Sequence, residues 1–180
     1  MAANLEKRAA ALASCGAAAS GMHLTGYASV FNAPADIGDF TETVMPTAFD
    51  RTLADVAEGK ADIVLCLDHD VRQILGRTRS GTLKLAKDAH GLKVDADLPN
   101  TQLGRDVAEL VRRQDAYGMS FCFAVRDGGE TWSNARSRQL TDVALEEVSV
   151  LTVAPAYPQT SVAMRSKCGA DKRIYYAFTL

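Results

Sequence analysis

"AYGMSFCFAV", residues 116–125, is the stretch on which the fold turns. Alternation with a period of two puts Met119, Phe121, Phe123 and Val125 on one side and Ser120, Cys122 and Ala124 on the other. This is a strand with one bulky face for a core. Its other face carries small side chains, which let another backbone approach closely, either a helix of the core or an extended peptide. Ser120 is then either a filler beside packed strands or a hydroxyl placed where a substrate strand can reach it.

Working outward, the "DGG" turn at 127–129 and a polar stretch around Trp132 lead to two further strands within "LTDVALEEVSVLTVAP", residues 140–155. Before the serine strand, "NTQLGRDVAELVRRQ" (100–114) reads as a helix. Asn100 or Thr101 can cap it, and Leu103, Val107, Leu110 and Val111 form one apolar stripe. "QILGRT" (73–78), "TLKLA" (82–86) and "LKVDADL" (92–98) are spaced like antiparallel hairpins. "DIVLCL" (62–67) is a short apolar run, the mark of a strand buried on both faces. "MPTAFDRTLADVAEG" (45–59) reads as a first helix with Pro46 in its first turn and Gly59 closing its end. "TGYASVF" (25–31) is a strand, and "ADIGD" (35–39) is a loop. Many short strands with two helices define an α+β domain built on an antiparallel sheet or small barrel.

The chain has 180 residues, the size of one domain with its own core. Twenty basic and 22 acidic residues give a formal charge of −2 without a long basic run, so neither nucleic acid nor an anionic membrane is expected as a partner. Four cysteines at 15, 66, 122 and 168 lack paired spacing and read as reduced thiols. Cys66 and His69 form a Cys-x-x-His pair, but no second pair completes a zinc site, and neither metal nor cofactor is expected. The alanine-rich start, with "LASC" at 12–15, is too short in its apolar part for a secretory core and reads as a floppy or partly helical tail. No other segment is apolar enough to cross a bilayer, so the protein is expected to stay where it is made.

A serine becomes a nucleophile when a base takes its proton and a third group orients the base. Of three histidines, His23 lies at the edge of the loose start and His90 in a turn before Gly91. His69 directly follows a buried run, between Asp68 and Asp70, at a strand end that can face a cleft. "ALEEVSVL" (144–151) places Glu146 and Glu147 within an apolar strand, where a carboxylate is costly without a partner. Alternation sends the two to opposite faces, one to an edge or the surface and the other toward a cation or an imidazole.

The ordered blocks "GYASVF", "GDFTETVMPTAF", "LDHD" with "ILGR", "HGLKVDADL", "YGMSFCF" and "LEEVSVLTVAPAYPQTSV" resemble the prohead maturation proteases of tailed bacteriophages, over roughly 25–164. The resemblance implies a serine endopeptidase related in fold to the herpesvirus assembly proteases, a mostly antiparallel β-barrel surrounded by helices. It matches Ser120 to the nucleophile, His69 to the base, and Glu147, the glutamate before "VSV", to the third member. Two positions depart from the family pattern: Thr47 stands where glycine is usual before Ala-Phe, and Cys122 where a glycine is common after the serine. Arg138 and backbone amides are candidates for the oxyanion donors.

On this resemblance the chain divides into a tail at 1–24, a protease domain at 25–165 and a tail at 166–180 that docks or is self-processed. The implied substrates are a phage scaffolding protein or the scaffold segment of the major capsid protein, and the chain itself, which would also self-associate. The implied place is the immature capsid in the host cytoplasm. The competing expectation is a catalytically inactive scaffold-binding or capsid-assembly module of the same fold.

Overall fold

The structure, a computed structural model, describes residues 5–11, 18–20, 22–116 and 118–152. Cys15, Cys168, the "PAY" block and the basic-aromatic end therefore lie outside the described residues. Among the described residues there are three sheets and two helices. The strands are β1 (Leu5–Ala11), β2 (Ala18–Ser20), β3 (His23–Val30), β4 (Pro34–Asp36), β5 (Thr41–Val44), β6 (Val64–Leu67), β7 (Asp70–Arg77), β8 (Leu83–Lys87), β9 (Gly91–Asp97), β10 (Gly118–Val125), β11 (Glu130–Asn134), β12 (Ser137–Leu140) and β13 (Val143–Leu151). The helices are α1 (Asp50–Ala57) and α2 (Gln102–Arg112).

The serine strand β10 sits inside a five-stranded sheet of order β1-β10-β13-β6-β7. A second sheet runs β11-β12-β5-β4, and a third β2-β3-β9-β8. The α+β class holds, but the expected closed barrel is not found among the described residues. Each sheet remains open, and two contain parallel pairs, β13 with β6 and β12 with β5. The expected run of hairpins is also broken, because β7 and β8 belong to different sheets. At the end of β7, the Ile63 carbonyl accepts from the Thr78 amide (2.9 Å) and the Ile63 amide donates to the Thr78 hydroxyl (2.8 Å), which keeps β7 on β6 while the turn carrying Gly81 leads away. Only β8 and β9 pair as anticipated.

The opening strand is a further difference. Residues 5–11, read from sequence as part of a loose tail, form β1 and pair antiparallel with β10. Alanine's weak apolarity hid this strand, since its backbone ladder and two of its charged residues, Glu6 and Arg8, supply what large apolar side chains usually do.

The bulky face of β10 is core, as its alternation requires. Phe121 and Phe123 stack at 5.2 Å, and Phe49, just before α1, meets Phe121 edge-on at 5.5 Å. Leu24 and Ala28 of β3 and Leu92 and Val94 of β9 belong to the same buried cluster. Helix α1 is shorter than the periodicity predicted, since the chain turns through 46–49 first, and Gly59 ends it at φ +71°. Thr52 pins α1 to β13: its hydroxyl donates to the Val143 carbonyl (2.8 Å) and accepts from the Leu145 amide (3.2 Å). Thr101 is the cap of α2, accepting from the Gly104 amide. Phe49→Ala would leave a hole where two aromatic contacts now meet, at a side chain with no exposed surface. A loss of about 3–5 kcal/mol is expected, read as a lower denaturant midpoint at constant slope.

Candidate active site

β6 and β7 are joined by two residues, Asp68 and His69, both with positive φ (48° and 62°), while Leu67 and Asp70 pair across the turn. Two left-handed residues in a two-residue hairpin match the twist of the flanking strands, and Asp and His are among the non-glycine residues that tolerate this region. The turn is held from β13. The Asp68 amide donates to the Val150 carbonyl (2.9 Å), and its carboxylate accepts from the amide and hydroxyl of Thr152 (2.7 and 2.5 Å). His69 thereby projects back over β13.

β13 carries the carboxylate. A register shift between Cys122 and Phe123 marks a bulge opposite the two glutamates: Cys122 pairs with Glu147, and Phe123 with Leu145. The extra residue lets Leu145 stay in the core with Phe123 while Glu147 points away from it. Glu146 is exposed and Glu147 is buried. The two glutamates are thus separated as expected, although a bulge rather than plain alternation does it.

The Nδ1 of His69 meets Glu147 Oε1 at 2.5 Å. Glu147 Oε2 accepts from the Cys66 thiol (2.7 Å) and from the Ser149 hydroxyl (3.0 Å). Burial alone would raise the Glu147 carboxyl, but the hydrogen bond and charge of His69, with those of Cys66 and Ser149, outweigh it and hold the group below its ordinary value. An ionised Glu147 cannot donate, so Nδ1 carries the proton, and Nε2 of a neutral ring keeps its lone pair. Burial first, and the Glu147 charge second, push the Cys66 thiol far up, which suits its role as a protonated donor to Glu147.

Because Glu147 titrates lower in the folded chain than its ordinary value of 4.5, its stabilising contribution is complete above that value. It is lost as pH falls through the lower folded value. From neutral pH to below 4.5, wild-type protein should lose more stability than Glu147→Gln, measured by denaturant titration at each pH. Glu6, whose carboxyl burial raises but Arg138 and Arg8 lower more strongly, is common to both proteins and cancels.

Ser120 lies one strand over. Its register partner on β13 is Ser149, which in turn pairs with Cys66 on β6. Ser149 Oγ accepts from the His69 amide (3.1 Å) and lies 3.4 Å from Nδ1. Ser120 itself is 1% exposed, and its hydroxyl donates to the Arg8 carbonyl of β1 at 2.7 Å. Among the described residues, no hydrogen bond joins Ser120 to His69. The structure thus joins two of the three expected residues, His69 and Glu147, directly; Ser120 stands beside them as the ladder partner of Ser149, with its hydroxyl on Arg8.

Arg138 is committed elsewhere. It is buried on β12, with its guanidinium on Glu6, Glu42 and Glu130, so it is no free oxyanion donor. His23 bonds Asp97 at an exposed edge, and His90 packs against the Tyr27 ring. Sequence reasoning missed Ser149, although its place two residues after Glu147 on one strand was the available signal. It also missed the Cys66–Glu147 contact, which depends on β6 lying parallel beside β13.

An α+β domain holding an imidazole–carboxylate pair beside two strand serines has the ingredients of a serine hydrolase. The chain matches the caudovirus prohead serine protease family over residues 8–172 and belongs to that family. No curated protein and no solved structure matches it. Membership gives the chain a protease role in phage capsid maturation, serine peptidase chemistry as its class, and capsid precursor proteins within the prohead as its surroundings. Among the described residues, no helix is long and apolar enough to cross a membrane.

Proposed function

We propose that the chain is a serine endopeptidase that cuts scaffolding protein or the scaffold segment of the capsid subunit, and itself, with Ser120 as nucleophile, His69 as base and Glu147 as the group that orients the base. The observation that carries this reading is the His69–Glu147 pair standing against Ser149, the ladder partner of Ser120. Partners in an antiparallel ladder have Cα atoms about 4.5–5.5 Å apart, which keeps Ser120 on the strand next to the pair; the reading requires its hydroxyl to leave the Arg8 carbonyl and turn to Nε2.

In the reaction, Ser120 Oγ attacks a peptide carbonyl carbon as its proton passes to His69 Nε2. The imidazolium returns that proton to the departing amine, and the peptide C–N bond breaks to leave a serine ester. Water, deprotonated by the same nitrogen, attacks the ester and frees the acid and the serine. Glu147 keeps Nδ1 protonated and offsets the charge that forms on the ring. General-base help of this kind contributes about 10²–10⁴ in rate.

The contact between Ser120 and the Arg8 carbonyl favours a second reading, a scaffold-binding module without turnover. Incubating the full chain with its capsid precursor and scaffolding protein, with product masses recorded, separates the two. Cleavage that Ser120→Ala abolishes supports the protease. Stable binding with every chain intact, in assembled proheads as well as in solution, supports the module.

A further inference from the structure

β1 lies alongside the strand that carries Ser120, and it is read by charge as well as by its backbone. Its Arg8 guanidinium forks onto the Glu42 carboxylate of β5 and lies 5.4 Å from the centre of the Phe123 ring. Its Glu6 carboxylate takes two hydrogen bonds from Arg138 of β12 (2.7 and 2.9 Å) and one from Arg8 (2.7 Å). Glu42 and Arg138 are 2% and 3% exposed, and Arg138 is further braced by Glu130. A buried pocket with an anion and a cation at fixed spacing thus accepts an acidic residue and an arginine two places later. Alternation sends both side chains to the face opposite Ser120, while the carbonyl between them and the next residue engages the serine hydroxyl.

We infer that the edge of β10 is a strand-binding cleft for extended segments of the pattern Glu-x-Arg, and that β1 is its intramolecular occupant, holding Ser120 out of reach of His69 until it is displaced. The inference rests on the reading of Ser120 as nucleophile for its consequence, but not for the cleft itself. An extended peptide that pairs with an open sheet edge gains affinity from backbone hydrogen bonds and selectivity from the pockets that take alternate side chains. In this cleft those pockets are Glu42 and Arg138. Among the described residues, the edge of β10 without β1 has no other strand on it and Glu42 keeps Arg138 alone, so a competing strand must bring its own cation.

The test uses the full chain. In Glu6→Ala/Arg8→Ala, Arg138 retains Glu42 and Glu130, while β1 loses both of its charged anchors. Amide exchange in β10 should accelerate by about 10²–10³-fold, the lower part of the range expected when a buried ion pair loses a partner, since Arg138 keeps Glu42. Covalent labelling of Ser120 by a fluorophosphonate, in which the serine oxygen displaces fluoride from phosphorus, should accelerate in parallel. A synthetic peptide LEKRAAA added to this variant should restore β10 protection, and LAKAAAA should not. In the opposite direction, Lys7→Cys places a thiol opposite Cys122 in the ladder, and its oxidation should suppress labelling until a reductant is added.

Equal β10 exchange in wild type and the double variant, or equal protection by both peptides, overturns the cleft. Labelling that is fast in wild type and indifferent to the oxidised latch overturns the sealing role. Faster exchange with a selective peptide but no labelling of Ser120 supports the cleft and counts against Ser120 as nucleophile, so the two readings fail separately.

Discussion

Ser120→Ala is expected to lower cleavage of the capsid precursor by about 10⁴–10⁶-fold, with KM almost unchanged, since removal of a triad nucleophile costs this much while binding survives. The substitution deletes one oxygen from a buried strand whose ladder partners remain in place, so the fold should persist. Loss of activity is then chemical. Among the described residues the hydrogen bond lost is that to the Arg8 carbonyl, which costs about 0.5–1.5 kcal/mol. Cys122 is the rival, two residues on and on the same small face, with Glu147 as its ladder partner, but on the proposed assignment of Ser120 it takes no part in the chemistry. Cys122→Ala should therefore keep most of the activity. Single-turnover assays on a precursor peptide distinguish the cases. Activity that survives in Ser120→Ala and disappears in Cys122→Ala would move the nucleophile to sulfur.

The parts of this site that could be read from sequence are those set by local periodicity. Alternation in β10 separated Ser120 from the phenylalanines, and an acidic pair in an apolar strand signalled a buried partner for one glutamate. The position of His69 after "DIVLCL" marked a strand end. What sequence could not show depends on pairing between distant strands. The parallel contact of β13 with β6 brings Cys66 and Ser149 to Glu147, and the pairing of β1 with β10 puts a carbonyl on Ser120. β1 was hard to read because a strand of alanines and charges has little hydrophobic signature, and its anchors lie 34 and 132 residues away in the chain. The same distance hid the commitment of Arg138. Closure into a barrel was likewise undecidable from strand count, since it depends on whether edge strands such as β7 find a neighbour.

Glu147→Gln is expected to reduce kcat by about 10⁴-fold with little change in KM, the size of effect seen when the triad carboxylate becomes an amide and the imidazole adopts the wrong tautomer. The amide can accept from Nδ1 through its oxygen or donate through its nitrogen. Ser149 and the Cys66 thiol already donate to the neighbouring carboxylate oxygen, so they hold the amide oxygen at their end. The amide nitrogen then faces His69 and moves the ring proton from Nδ1 to Nε2, where a base must have a lone pair. The expected signature is an inactive but folded protein with its ring proton on Nε2 in nitrogen NMR, together with the weaker acid dependence of stability described above. Glu146→Gln provides the contrast. That residue sits on the exposed side of the bulge, so stability should stay within about ±0.5 kcal/mol and cleavage should be unaffected. Were the two variants to lose activity equally, or were Glu146→Gln the inactive one, the bulge would not be what selects the orienting carboxylate.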